Sequence, residues 1–253
     1  MKTPWDYTKL SASYLLRPNY SEEAVTAMLR IAEMSPGKVV CDIGAGVGHL
    51  SLMLAQKSFP VTAIEPNDDM LKTGEIRCKE APNIFWKKGT AEATSEPNQV
   101  FDLVTFGSSF NVCDRDRALI ETSRILRPNG WFACLWNNRD LTDPVQSSIE
   151  QIIHKFVPKY DYGVRRQEQT NIINHSGLFQ PVIHVNADVI HTQKIEDCLE
   201  AWRSHATLKY QAKDKFKSII EAINAYLQQL DSRIIKIPYR TNIWMAQLNE
   251  SKR

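Results

Sequence analysis

Asp42 stands two residues before the first of three glycines set at alternate positions, in the stretch VVCDIGAGVGHLSLMLA from Val39 to Ala55. Apolar residues lead into the acid, Gly44, Gly46 and Gly48 follow with Ala45 and Val47 between them, and an amphipathic run starts at once. The pattern predicts a buried strand, a tight loop and a helix. Glycine has no Cβ and accepts φ > 0, so such a loop lets backbone close in on a ligand. The dinucleotide fingerprint G-x-G-x-x-G seats a pyrophosphate on a helix N-terminus. The G-x-G-x-G spacing here, with an acid ahead of it, is wrong for that group. A carboxylate at Asp42 suits an amino-acid ammonium, reached directly or through water. At roughly the 20-residue distance where a Rossmann unit places its ribose-binding acid, the apolar run VTAI ends at Glu65. That carboxylate can accept from two ribose hydroxyls. Together these residues ask for a ligand with a ribose, a cationic amino-acid end and no pyrophosphate.

The elements that must position them alternate along the chain. Ser21 is the expected N-cap of a helix over 21–34 carrying Glu22 and Glu23 in its first turn, stopped by Pro36 and Gly37. A strand is predicted at 38–42, a helix at 50–57, a strand at 61–65 and a helix at 69–81 capped by Asn67 or Asp68. Strands at 83–89 and 101–107, a helix at 117–126 and a strand at 130–136 follow. This alternation is the sequence form of a doubly wound, Rossmann-like α/β fold with a parallel sheet covered on both faces. Beyond Asp140 the regularity loosens. A helix over 145–157 ends at Pro158, a polar and aromatic loop KYDYGVRRQEQT follows, then a strand at 179–191, helices at 194–206 and 216–230, and a last strand at 234–248.

DIGAGVGHL, AIEPNDDML, KKGTAEA, FDLVTFGSS and ILRPNGWFACLWN, in that order between Val39 and Asp140, resemble the motif series of class I S-adenosylmethionine-dependent methyltransferases. The likeness is greatest to the small-molecule branch that includes the quinone-biosynthesis and trans-aconitate methyltransferases. The resemblance implies seven strands, mostly parallel, with the last one antiparallel, and S-adenosylmethionine as cofactor with S-adenosylhomocysteine as product. It implies one domain over 1–253: an N-terminal helical cap at 1–35, the cofactor-binding core at 36–140, a helix and loop at 141–178, and the last two strands at 179–253 with a helical insertion at about 194–230. Insertion at that edge reads as a lid over a second substrate.

The resemblance assigns cofactor contacts to Asp42, Gly44, Ala45, Gly46, Glu65, Pro66 and Met70, to Thr90, Ala91 and Glu92, and to Gly107 and Ser108 at the tip of the fourth strand. Thr90 stands where the family often has an acid, so Ala91 and Glu92 are left to recognise adenine. Tyr14 and Arg17, in a segment resembling one that folds over the cofactor, are spaced to reach the methionine carboxylate or an acidic acceptor. The alternative is a helix that caps the sheet through Tyr7, Leu10 and Tyr14. Acceptor contacts are expected from Ser109, Asn111, Trp136, Asn137, Arg139, Tyr162, Arg166, Trp202 and His205. Asn111 and Val112 replace the aromatic pair, often His-Trp, of similar proteins, so the obvious general base is missing; His154, His175, His205, Tyr14, Tyr160 and Tyr162 are the remaining candidates. A sulfonium is already a good methyl donor, and alignment supplies much of the acceleration. A base is needed only for an acceptor protonated at working pH. Arginines in the mouth segments point to an anionic small molecule, methylated at oxygen or nitrogen.

Composition narrows the classes further. The chain has 253 residues, 43% hydrophobic and 24% charged, with a formal net charge of +2. That balance, without a basic cluster, disfavours nucleic acid as a partner. Five cysteines with no C-x-x-C spacing read as buried small hydrophobes in a reducing cytoplasm. No apolar run approaches the ~20 residues that span a bilayer. The expectation is a cytoplasmic monomer or homodimer with no metal and no membrane contact. The rivals are a nicotinamide oxidoreductase, which the loop spacing disfavours, a protein that holds the cofactor without transferring methyl, and a methyltransferase of RNA or protein.

Overall fold

Short apolar runs bounded by turn residues become the strands Val40–Ile43 (β1), Val61–Ile64 (β2), Ile84–Lys87 (β3), Phe101–Gly107 (β4), Leu126–Arg139 (β5), Ile183–Lys194 (β6) and Ile234–Gln247 (β7) in a computed structural model that describes residues 11–250. They form one sheet in the order β3-β2-β1-β4-β5-β7-β6. β3 to β5 run parallel, and β7 is antiparallel to both β5 and β6. This is the seven-stranded, mostly parallel architecture expected. The order reverses between β1 and β4, so the loops after these two strands part and leave a crevice at their carboxyl ends, where α/β sheets bind ligands.

The helices are Ser11–Tyr14 (α1), Glu22–Ile31 (α2), His49–Gln56 (α3), Asp68–Arg77 (α4), Arg115–Ile125 (α5), Pro144–Phe156 (α6), Thr170–His175 (α7), Ile195–Arg203 (α8), Ala206–Ala212 (α9) and Phe216–Leu227 (α10). Side-chain oxygens of Ser21, Asn67, Asp114 and Asp143 accept N–H groups from the first turns of α2, α4, α5 and α6, satisfying donors that a helix start leaves unpaired. Gly74 inside α4 answers to packing, since a Cβ there would lie 2.2 Å from the Trp86 ring. Tyr7 and Leu10 lie outside the described residues.

The period-two alternation of the strands divides their side chains between two cores. Val40, Leu103, Ala133 and Met245 pack under α2 and α3 with Met28, Leu50 and Leu54. Cys41, Val104, Phe132, Cys134 and Ala246 pack on the other face with Leu119 and Ile125 of α5 and Ile173 of α7. All five cysteines are unpaired, and Cys41, Cys78, Cys134 and Cys198 are buried. Among the described residues no helix is long and apolar enough to cross a membrane.

A third core lies beyond the sheet proper. The β6–β7 ladder runs from Ile183↔Met245 to Lys194↔Ile234, whereas β5 leaves β7 at Arg139↔Tyr239. The hairpin therefore overhangs the end of β5. Ile235 and Ile237 on this overhang pack with Ile149 and Ile153 of α6, Ile195, Leu199 and Trp202 of α8, Leu208 of α9 and Ile219 and Ile223 of α10. Burial of each such aliphatic side chain contributes about 1.5–3 kcal/mol, so the inserted helices hold together on a core of their own. Arg139, the last residue of β5, sits at the joint.

Three expectations needed adjustment. β5 begins at Leu126 and is longer than predicted. The loop ahead of β6 contains the short helix α7. The helix predicted over 194–206 ends at Arg203, because His205 caps a separate helix: its Nδ1 accepts the Leu208 N–H at 3.2 Å.

Candidate active site

Gly44, Gly46 and Gly48 all adopt left-handed backbone, with φ of +66°, +59° and +80°. A Cβ on Gly44 would fall 2.4 Å from that of Ser109, whereas Gly46 faces open space. The register Ile43↔Ile64 sets the loop beside the tip of β2, and Gly44 and Ala45 N–H donate to the Ile64 carbonyl at 2.8 and 3.0 Å. Glu65 reaches across: Oε2 accepts from Gly46 N–H at 2.8 Å and Oε1 from Asn67 N–H at 2.9 Å. Each oxygen keeps a lone pair, which is what two vicinal hydroxyls need. Burial raises the Glu65 pKa.

Asp42 lies beneath this loop, 1% exposed. Ser51 Oγ donates to Oδ2 at 2.6 Å and Thr105 Oγ1 to Oδ1 at 2.9 Å, which ties β1, α3 and β4 together. Burial pushes its pKa up to about 6. The acid expected to meet an ammonium directly or through water is thus a buried one. A desolvated carboxylate without a buried cation, a glycine loop with one open face and an acid at the β2 tip fit an amino-acid nucleoside. Arg77 of α4 lies against the loop, its Nη1 donating to the Val47 carbonyl at 3.2 Å.

Around this cradle the expected residues divide. Met70 is buried in the first turn of α4, and Pro66 is exposed beside Glu65. Thr90 and Ala93 close a tight reverse turn, Ala91 packs against the sheet core, and the Glu92 carboxylate accepts the Asp114 N–H at 2.8 Å. Glu92 is therefore engaged with the start of α5. Gly107 leaves room for a residue that sequence reasoning missed, since a Cβ there would approach Tyr20 Oη to 3.1 Å. The buried Tyr20 phenol shares a hydrogen bond of 2.9 Å with Ser108 Oγ. Its one sequence signal is an apolar residue just ahead of the Ser21 cap.

Tyr14 to Tyr20 form a strap across the loop. His49 Nε2–H donates to the Tyr14 carbonyl at 2.9 Å, and its Nδ1 lies 3.0 Å from the Asn19 side-chain amide. Asn137 Nδ2 donates to the Asn19 carbonyl at 2.9 Å, while its Oδ1 accepts from Thr241 at 2.6 Å. Asn137, expected at substrate, holds the strap to β7.

Three other residues expected at the acceptor are also engaged with the scaffold. Ser109 Oγ donates to the Ile43 carbonyl at 2.5 Å. Trp136 is 1% exposed, packs edge-on against Trp244 and donates from Nε1 to Asn111 Oδ1 at 3.0 Å. These side chains brace the scaffold because the inward alternation of β5 carries Trp136 into the core. None of the histidines offered as a base stands at the β4 tip as a free imidazole. His154 bonds Glu150, His175 bonds the Asn171 carbonyl, and His205 is a buried helix cap held neutral by burial and by the charges of Arg165, Arg17 and Arg139.

The joint between sheet and inserted helices gathers the rest. Arg139 is 8% exposed, with its guanidinium carbon 4.2 Å from the Trp202 ring centroid and 5.6 Å from that of Tyr239. Trp202 in turn stacks on His205, centroids 5.2 Å apart. Arg166 donates from Nη2 to the Arg139 carbonyl at 2.8 Å and lies over Tyr162 at 4.3 Å. Tyr162 Oη donates to Glu150 at 2.5 Å. Arg165 Nη2 donates to Thr207 Oγ1 at 3.1 Å. Tyr239, missed from sequence, belongs to this group. Arg203 and Tyr210 point away from it and are exposed, Arg203 beside Glu200 at 3.4 Å.

Residues 41–134 match the methyltransferase domain family. The chain is 32% identical over 124 residues to an uncharacterized methyltransferase of Mycobacterium tuberculosis, covering 49% of this chain and 48% of that one. It is 28% identical over 151 residues to the ubiquinone/menaquinone biosynthesis C-methyltransferase of Caulobacter vibrioides, covering 54% and 58%. The chain spans about half the length of the curated relatives it matches. Among solved structures, the YcgJ protein from Bacillus subtilis superposes over 91% of this chain and 100% of its own with a TM-score of 0.57 at 18% identity. A Haemonchus contortus phosphoethanolamine N-methyltransferase bound to S-adenosylhomocysteine and phosphomonomethylethanolamine covers 94% of this chain and 56% of its own, with a TM-score of 0.53 at 15% identity. These likenesses establish the fold as that of Rossmann-like methyltransferases.

Proposed function

With a methyltransferase domain at residues 41–134 as premise, we propose that the protein binds S-adenosylmethionine and transfers its methyl group to oxygen or nitrogen of a small anionic molecule. The observation that carries this reading is the pairing of the open glycine loop with Glu65, whose carboxylate bridges Gly46 and Asn67. Glu65 would hold the ribose, the loop backbone the amino-acid end over buried Asp42, and the turn from Thr90 to Glu92 the adenine edge. Held there, the cofactor would supply an activated methyl group on a sulfonium.

The chain's own contribution is positioning. Tyr20 and Ser108 fix the floor of the crevice at the end of β4, and the strap clasped by His49 and Asn137 shields it from water. Among the described residues, none of the histidines offered as a base stands free beside the crevice. An acceptor that arrives already ionised fits this arrangement, and Arg139 at the joint is placed to hold an anion. The Caulobacter relative is named for carbon methylation; the preference for a heteroatom rests on this cationic surrounding.

Calorimetric titration tests the reading. One binding event with S-adenosylhomocysteine and none with NAD is expected. Heat from NAD with none from S-adenosylhomocysteine would overturn it.

A further inference from the structure

Buried polar groups usually have partners, and four at or beside the joint do not. Arg139 Nε, Arg17 Nε, Tyr160 Oη and Trp202 Nε1 are all buried without a hydrogen-bond partner among the described residues. Each can donate; of the four only the Tyr160 oxygen can also accept. The surroundings are one-sided in charge as well. Arg17, Arg139 and Arg165 lie close enough for the other two charges, after burial itself, to pull the Arg17 pKa down. Among the described residues none of the three makes an ion pair, whereas Arg124, Arg127, Arg203 and Arg240 each meet a carboxylate. Glu150, an acid of this region, is taken by His154 and Tyr162.

A buried guanidinium without a counter-ion is costly. Here the aromatic faces of Trp202 and Tyr239 soften the cost at Arg139 but offer no acceptor for its Nε–H. The donors come from four separate pieces of chain: the strap, the end of β5, the loop after α6, and α8. A ligand that satisfies them ties the inserted helices to the sheet.

We propose that this joint is a binding site for an acceptor carrying at least two negative charges and rich in oxygen acceptors, such as a dicarboxylate or a phosphate monoester, held by Arg17, Arg139 and Arg165 with Tyr160 and Trp202. Three guanidiniums facing one monoanion would retain a net charge of +2, so a dianion is the smallest ligand that largely neutralises the site. Arg166, exposed at the rim and fixed to the Arg139 carbonyl, guides the approach of the acid. The inference rests on the methyltransferase reading for the meaning of the ligand, but its binding does not require methyl transfer.

The test uses the full chain, alone and saturated with S-adenosylhomocysteine, titrated with glutarate, glycerol phosphate and, as monoanion control, butyrate. At least one dianion should bind at least tenfold tighter than butyrate, with affinity falling as salt rises. It should also slow hydrogen exchange across residues 195–227. Preference for glutarate identifies a carboxylate site, and preference for glycerol phosphate a phosphate site. Arg139→Met should weaken the dianion at least tenfold while S-adenosylhomocysteine binding persists; Arg165→Ala, on the loop, provides the same comparison if the β5 variant misfolds. Butyrate binding as tightly as both dianions, no dianion binding, or unchanged affinity in both variants would overturn the proposal. If S-adenosylhomocysteine binds while the dianions fail, only this proposal falls. If S-adenosylhomocysteine itself fails to bind, it is the methyltransferase reading that falls.

Discussion

Asp42→Asn separates the charge beneath the loop from the architecture around it. The wild-type carboxyl is buried, receives hydroxyl donors from Ser51 and Thr105, and has its pKa pushed from 3.8 to about 6 by desolvation. The folded state therefore holds this proton more tightly than the unfolded chain does. The stability contributed by protonation is fully present below pH 3.8 and is lost as pH rises through about 6. One pKa unit corresponds to about 1.4 kcal/mol, so the loss comes to about 3 kcal/mol. Asparagine is neutral throughout, and its amide can still meet both hydroxyls. In urea denaturation between pH 4 and pH 7, the stability of the variant relative to wild type should rise by about 2 kcal/mol, part of the loss having already occurred at pH 4. Taking this difference cancels the opposite slope of Glu121, whose pKa of about 2 reflects its hydrogen bonds with Arg124 and Thr94 outweighing burial. A ligand that sets its ammonium group over the loop reverses the cost. S-adenosylhomocysteine should bind wild type more tightly as pH rises through 6, and the variant with little change. Parallel stability profiles for the two proteins across this range would refute the reasoning.

Glu65→Ala should weaken S-adenosylhomocysteine at least tenfold by calorimetry, because charge-assisted bonds worth about 1.5–3 kcal/mol each are removed, with far-ultraviolet circular dichroism unchanged. Gly74→Ala should destabilise the fold by about 1–3 kcal/mol in urea, since the added methyl collides with the Trp86 ring. Arg203→Ala should leave both methyl transfer and melting temperature within error, as the side chain is exposed and paired only with Glu200; a tenfold loss of turnover would place it at the acceptor.

The cradle was legible in the sequence because its determinants are local. Three glycines in five positions demand left-handed backbone, and an acid at the end of the next apolar run falls beside them once β1 and β2 pair in parallel. The doubly wound α/β class followed from the alternation of strand and helix. Trp136 could also have been placed, since alternation in GWFACLW puts it on the same face as Phe132 and Cys134. The joint was legible only in part. Arg139, Trp202 and His205 were singled out, but Tyr239 and Tyr20 were not. What brings Arg139 between Trp202 and Tyr239 is the overhang of the β6–β7 hairpin past β5, a property of register that no local pattern encodes. The His205 cap that splits α8 from α9 turns Arg203 and Tyr210 outward, and it is a choice of imidazole over the usual Ser, Thr, Asp or Asn.

Methyl transfer to a small acidic acceptor is tested most directly by isotope transfer. The protein is incubated with S-adenosylmethionine labelled in its methyl group and with a metabolite extract separated by charge into anionic, neutral and cationic fractions, alongside the extract's RNA and protein. Label should appear in a small product from the anionic fraction, and Arg139→Met should abolish most of it. Label entering RNA, protein or a cationic metabolite while the anionic fraction stays unlabelled would contradict the account.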